Sequence, residues 1–441
     1  MKRIGTRVYS DHRCFRSAPF PAAAGERAVP EAGAERLKKW GIFLFTIQSL
    51  LFAIGASGQT YTITDLGTLH PGSARVHDIN SSGQVVGASG HPHGSDTHAF
   101  FWTQKGGLRD LGFLPGGDYS VALAINDTGQ VVGASNSASG IHAFLWTGSG
   151  GLSPLPQLSN GDSSSAYAIN HAGQIVGASD GHAAVWSNNT IQDIGTLGGS
   201  WSEAHSINNR GQVVGVSDTP AGPRAFLWMS GGPMQDLGTL PGDTSSRANR
   251  ISDQGVVAGA SEGVQGVRAF VWAKNTGMQA IGTLQGGGYS EAFGVNNLGQ
   301  VVGQSGSSLG TRAFLWTPGN SIVDLNDLIP DLPPGTILTG AFSINDSGQI
   351  VAFGVTNPKL NKNHAANMDD HLHSGPTRIF LLTPQVRSSS SRPMPTAPVG
   401  RGSSRASSAT DHGSDPRCVF AIGSSNRTDW SHRVRRCESG S

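Results

Sequence analysis

Between Gln59 and Pro384 the chain contains no cysteine; Cys14, Cys418 and Cys437 all lie outside that stretch. The middle therefore relies on neither disulfides nor thiolate metal sites. Charge is scarce as well. Only 14 % of the 441 residues are Asp, Glu, Lys or Arg, against about 25 % in an average globular protein. That shortage excludes long solvent-facing helices, coiled coils and helical bundles. His-Glu-x-x-His, a phosphate-binding P-loop and a dinucleotide fingerprint are all missing. So is the basic stripe that tracks a nucleic-acid backbone, and no nucleic-acid partner is expected. What the chain has instead is glycine, 62 residues of it, together with 37 % hydrophobic residues, enough to bury a core.

The charge that is present falls unevenly. Residues 1–58 hold 9 basic and 4 acidic side chains, and residues 385–441 hold the same numbers, so each end carries +5. Residues 59–384 hold 13 basic and 22 acidic side chains, a net −9. The basic N-terminal region leads into the uncharged run Trp40–Ala56, and Ala56-Ser57-Gly58 offers a small-residue exit. Those are the three parts of a secretory signal. The alternative is an uncleaved anchor, although a run of 17 residues that includes Gln48 is marginal for a bilayer core of about 30 Å. The 39 residues ahead of the run exceed an ordinary signal, which a misassigned start codon would explain. Residues 1–58 are thus expected to leave as a signal peptide, with no stable membrane span remaining. Residues 385–441, with 14 Ser, 9 Arg and no Lys, read as a disordered tail.

Repetition dominates residues 59–384. Ile-Asn-x-x-Gly-Gln-Val-Val-Gly recurs, with small changes, at Ile79–Gly87, Ile125–Gly133, Ile169–Gly177, Ile207–Gly215, Ile251–Gly259, Val295–Gly303 and Ile344–Ala352. Ala-Phe-Leu-Trp or a variant ends at Trp102, Trp146, Trp186, Trp228, Trp272 and Trp316, 40 to 44 residues apart, and as IFLL at Leu382. Asp-Leu-Gly-Thr-Leu or a relative starts at Asp65, Asp110, Asp193, Asp236 and Asp324. Four strand-like segments at this period are the signature of a propeller blade. The expected fold is therefore all-β, a seven-bladed β-propeller of four-stranded antiparallel blades.

Asn-x-x-Gly between two apolar runs suits a tight hairpin, with Gly83, Gly129, Gly173, Gly211, Gly255, Gly299 and Gly348 at the left-handed position. Ahead of the turn, small residues (Val76, then Ala122, Ala166, Ala204, Ala248, Ala292 and Ala341) are followed by mostly large ones. The latter are His77, Leu123, Tyr167, His205, Asn249, Phe293 and Phe342. One small face and one large face fit sheets stacked on neighbours at both sides. If the small-residue strand is innermost, the first Asp-Leu-Gly strand (Tyr61–Gly67) has no blade of its own. The seventh repeat lacks an outer strand. Pairing these two closes the ring without a covalent bond and removes the free edges.

His98-Ala99-Phe100 and His142-Ala143-Phe144, with Asp-Leu-Gly-Thr-Leu and Ile-Asn-x-x-Gly-Gln-Val-Val-Gly, resemble the HAF-repeat family of bacterial extracellular repeat proteins. The resemblance spans the whole repeat region. It implies a secreted or surface-located bacterial protein, and it brings neither an assigned activity nor catalytic residues. Arg replaces His in four copies, and the sorting anchor that some relatives carry is missing.

The residue before each Ala-Phe is cationic throughout: His98, His142, His182, Arg224, Arg268, Arg312 and Arg378. Such a ring either binds anions or pairs with carboxylates, and its presence in every copy favours pairing. Function belongs where the repeat breaks. One break is the loop holding His91, His93 and Asp96. Another is the insertion holding His364, Asp369, Asp370, His371 and His373. Imidazoles and carboxylates together suit a divalent metal, the one cofactor considered, although such loops are often merely solvated. Tyr119, Trp201 and Tyr289 occupy one equivalent position in three repeats. Their rings either stack on sugars or pack at sheet edges. The reading that follows is a monomeric exported binding module for polysaccharide or protein at the cell surface. A metal-dependent hydrolase or lyase using the His/Asp loops, and a structural matrix protein, are the alternatives.

Overall fold

The computed structural model describes residues 58–69, 72–90, 97–148, 150–158, 163–356 and 377–385. Residues 1–57, the tail from 386 and both His/Asp loops lie outside the described residues. Among the described residues, 28 strands form seven four-stranded antiparallel sheets. Blade one is β2 (Ser73–Ile79), β3 (Val85–Gly90), β4 (His98–Thr103) and β5 (Gly107–Asp110), bonded in that order. Blades two to six begin on β6 (Ser120–Ile125), β10 (Ser164–Ile169), β14 (Ser202–Ile207), β18 (Asp243–Ile251) and β22 (Ser290–Val295). Blade seven is β26 (Thr336–Ile344), β27 (Ile350–Thr356), β28 (Thr377–Pro384) and β1 (Tyr61–Asp65). β1 pairs with β28 from Tyr61 opposite Pro384 to Asp65 opposite Phe380. The chain is a seven-bladed β-propeller closed by its N-terminal strand, in the phasing that the repeats imply.

Each repeated residue has a mechanical task. Asn80 Oδ1 accepts from the backbone N–H groups of Ser82 (3.1 Å) and Gln84 (3.0 Å), which fixes the hairpin turn. Gly83 follows at φ +74°, and its six counterparts lie between +74° and +81°. A side chain at such angles would be strained. The last glycine of Gly-Gln-Val-Val-Gly answers a different demand. In the innermost strand of every blade the register slips by one residue, a β-bulge at the position held by His77 in blade one. The bulge pushes a carbonyl against the second strand. A Cβ on Gly133 would lie 1.9 Å from Val121 O, and one on Gly215 would lie 1.9 Å from Glu203 O. In blades one to six the glycine of the second strand makes room for the bulge in the first, whereas blade seven keeps the bulge with Ala352 at that place.

Serines tie one blade to the next. Ser120 Oγ accepts from Ala99 N–H of blade one (2.8 Å) and donates to Gly112 O (2.7 Å). Ser202, Ser246 and Ser290 repeat this clip. The core lies between blades. Val86 and Ala99 of blade one pack with Ala122, Val131 and Phe144 of blade two, and a comparable cluster fills every other seam. Burying one such Phe contributes roughly 2–3 kcal/mol. Trp102, Trp146, Trp186, Trp228, Trp272 and Trp316 belong to these seams too, mostly buried, with Trp186 Nε1 donating to Pro156 O at 2.7 Å.

Candidate functional site

The innermost strands run along the axis and leave a channel. At its turn end, Asn80 Nδ2 donates to Asn126 O of the next blade (3.1 Å), and the link is handed on through Asn126, Asn170 and Asn208 to Ser252 O. Asn296 donates to Asn345 O and Asn345 donates to Asn80 O, at 3.1 and 3.0 Å. One link of the circle is missing, between Ser252 and Asn296, where blade five has Ser in place of Asn. That seam is held elsewhere. Arg247 pairs with Glu291 at 2.7 Å, and Asn249 Nδ2 donates to Ala292 O at 2.8 Å.

Above the asparagines the blades stop resembling one another. The innermost strands read small-x-small-x-x-Ile, with Val295 in place of Ile in blade six, and have three variable positions. The third variable position is small or polar in most blades, but it is Asp78 in blade one and Arg250 in blade five. These two reach across the channel and pair, and Ser343 of blade seven donates to the same Asp78 oxygen at 2.8 Å. Asp78 also accepts from Ile125 N–H at 3.1 Å. The carboxylate is nearly inaccessible, at 4 % exposure, but every contact of this set satisfies it. The bond divides the channel, leaving beneath it a cavity of about 180 Å³ walled by the asparagine turns.

The second variable position is the bulged one, and there the mostly large residues are half-buried and meet counterparts on adjacent blades, as the small and large faces of these strands predict. Phe293 and Phe342 stack at 5.0 Å between ring centroids, Phe342 meets Phe353 at 5.1 Å and His77 at 5.9 Å, and Tyr167 meets His205 at 5.9 Å. His205 Nδ1 also donates to Ala248 O. At the first variable position, nearer the loop end, stand Arg75, Glu203, Arg247 and Glu291. In blade seven it is Gly340, because the Phe353 ring fills the space; a Cβ there would sit 2.3 Å from that ring.

This environment moves proton equilibria. Burial, then the nearby Arg75 charge, pushes His77 down to about 4 and keeps the imidazole neutral. Burial, then Glu203, pushes the Tyr167 hydroxyl up to about 12. The hydrogen bond from His205 holds Glu203 below the usual carboxylate range.

The residues singled out in the sequence occupy other places. His91, His93, Asp96, His364, Asp369, Asp370, His371 and His373 lie outside the described residues. Among the described residues, no group of three or more His, Cys, Asp or Glu is arranged to hold a metal ion. Tyr119, Trp201 and Tyr289 are half-buried at the start of innermost strands in blades two, four and six, with a blade between each pair. Their carbonyls take equivalent hydrogen bonds from Asn136, Asp218 and Gly306 N–H, and the Tyr289 hydroxyl bonds Thr311 Oγ1 at 2.6 Å.

The cationic position pairs with the repeated Asp in four blades: His98 with Asp110 (2.8 Å), His182 with Asp193 (2.7 Å), Arg312 with Asp324 (3.7 Å) and Arg378 with Asp65. Where that Asp is lost in blade five, Arg268 turns to Asp243 instead. Gly306-Ser307-Ser308-Leu309-Gly310 spells Gly-x-Ser-x-Gly, the pattern of a serine nucleophile. It forms the loop between β23 (Val301–Ser305) and β24 (Arg312–Trp316), with Ser307 N–H donating to Gly310 O, and not the strand-to-helix elbow that the pattern requires. Among the described residues, no helix is long and apolar enough to cross a membrane.

No protein-family model matches the chain, and no curated protein matches it. Among solved structures it is similar to YCF48 bound to a D1 peptide, at 11 % identity and a TM-score of 0.47, covering 77 % of this chain and 99 % of that one. It is similar to a streptogramin B lyase at 12 % identity and a TM-score of 0.48, with 74 % and 98 % covered. For virginiamycin B lyase from Staphylococcus aureus the identity is 10 %, the TM-score 0.47 and the coverage 74 % and 99 %.

Proposed function

We propose that this propeller is an exported, HAF-like binding module whose ligand, a polysaccharide or a protein at the bacterial cell surface, meets the loop end of the ring. Export rests on the N-terminal signal pattern and on the family resemblance. Binding rests on one observation, the division of labour within the innermost strands. Turn asparagines, clip serines and bulge glycines repeat from blade to blade, whereas the three variable positions differ in nearly every blade. A scaffold that needed only to be a ring would repeat there too. Individual side chains aimed at a shared channel are what a ligand of definite shape requires. Tyr119, Trp201 and Tyr289 frame the same end and offer flat apolar faces to sugar rings.

Glycan-array binding of the full-length protein, compared with Trp201→Ala and Tyr119→Ala variants, tests the reading. Glycan binding that drops in these variants while melting is unchanged supports it. Binding that survives both substitutions removes the aromatic residues from the site.

A further inference from the structure

Of the charges at the variable positions of the innermost strands, most are already answered. Glu203 meets His205, Arg247 meets Glu291, and Asp78 meets Arg250. Arg75 is different. It is exposed, it stands at the first variable position of blade one, and among the described residues it has no acceptor. Its neighbour two residues along, His77, is held neutral and supplies no compensating charge. On the adjacent blade, Phe342 stacks on Phe293, touches Phe353 and lies against His77, two residues along from Arg75. Below, the Arg250–Asp78 bond with Ser343 crosses the channel.

Each feature narrows the ligand. A single guanidinium matches one carboxylate through paired N–H···O bonds. A dianion such as phosphate would be left half-compensated, with Glu203 and Glu291 on the same layer. Aromatic faces hold the apolar C–H side of a sugar ring. The bond across the channel stands in the way of a chain threaded through and favours an end. The net −9 of residues 59–384 opposes a long polyanion, but remote charges are screened beyond roughly 8 Å at physiological salt, so one terminal carboxylate in contact with Arg75 is tolerated.

We infer that the loop end of the channel binds the terminal uronic-acid residue of a saccharide, its carboxylate on Arg75 and its ring against Phe293 and Phe342. This rests on the binding-module reading above and names its ligand class. Tyr167 and Glu203, on the facing wall, are the groups placed to bond the sugar hydroxyls.

The experiment is a titration of the full-length protein with uronate-ended oligosaccharides and with the same oligosaccharides methyl-esterified at the terminal residue. The parent is expected to bind the acid at least about 10-fold more tightly than the ester, the worth of one charge-assisted contact. Arg75→Gln should bind both at the level of the ester, with melting unchanged because Arg75 has no partner to lose. Arg75→Lys should recover part of the preference. Phe293→Leu should weaken acid and ester equally. A preference for the acid that persists in Arg75→Gln overturns the inference. So does a parent that binds neutral glycans through Trp201 with no preference for the acid, an outcome that leaves the binding-module reading standing. Absence of binding to any saccharide overturns the inference together with the polysaccharide arm of that reading.

Discussion

The two ends of the channel are built on opposite rules. At the turn end nearly every blade does the same thing, passing an asparagine hydrogen bond to its neighbour. At the loop end the same strands carry Arg, Val, Ser, Glu, Arg, Glu and Gly at one structural position. Identity at one end serves closure, because a ring of seven wedges holds only if every seam has the same angle. Difference at the other end is what the proposed recognition would draw on. The largest break in this comparison removes what both ends depend on. Deleting Tyr61–Leu66 strips blade seven of its outer strand and exposes the edge of β28, together with the buried contacts of Tyr61 and Leu66. Thermal melting should fall by about 10 °C or more, or lose its cooperativity. A deletion variant that melts like the parent would show that the seam between blades seven and one does not need the N-terminal strand.

A finer cut separates the ends. Asn126 Oδ1 accepts from Gln130 N–H and from Thr128, while its Nδ2 donates to Gln130 Oε1 and to Asn170 O across the seam. Asn126→Ala leaves several of these groups unsatisfied in a buried turn and should cost about 3 kcal/mol in chemical denaturation. Ligand affinity at the loop end should be untouched. Loss of affinity at full stability would mean that the two ends are not separate.

The contacts made within a blade were largely legible in the residues, and those across the channel were not. Asn-x-x-Gly specifies its own hairpin within four residues, and the cation ahead of Ala-Phe finds its Asp within one blade, 11 or 12 residues away in His182 and His98. Such contacts are local and repeat, so periodicity reveals them. The channel depends on a bulge that alternation does not announce. The strict small–large pattern predicts rings packed between sheets, and Phe342 does meet Phe293 and His77 of the two neighbouring blades, but the pattern does not say which rings meet. The Asp78–Arg250 bond joins blades one and five across 172 positions, and only the curvature of a closed ring brings these residues together. A signal was present all the same. Aligning the seven innermost strands shows three columns that vary between constant ones, with charge of opposite sign appearing once each in the third.

The loop end should also make the protein sensitive to acid in a definite window. His77 titrates near 4 in the folded state and near 6.5 when unfolded. Between those values the unfolded chain binds the proton and the native ring does not, so stability declines as pH falls from about 6.5 to about 4. The depressed Glu203 acts in the same direction at lower pH, its contribution being lost as pH drops through its folded-state value. His77→Gln should flatten the upper part of this decline, by on the order of 2 kcal/mol at pH 4. Unfolding curves across that range would show it. An unaltered slope would mean that His77 takes up its proton in the native ring without penalty.

The smallest expected effect tests whether the missing asparagine link is a defect or a compensated choice. Blade five departs twice, with Ser252 where the other blades have Asn and Val256 where they have Gln. In those other blades the Gln side chain accepts the second amide hydrogen of the Asn, as Gln84 does for Asn80 at 2.7 Å. Ser252→Asn alone would supply a donor to Asn296 O but leave its other N–H without an acceptor, and should be close to neutral. Ser252→Asn with Val256→Gln restores the pair and should add about 1 kcal/mol, more than the two single changes together. Additivity in that cycle would mean that the other contacts of this seam, Arg247–Glu291 and Asn249 of the variable layers among them, already supply what the asparagine link gives elsewhere.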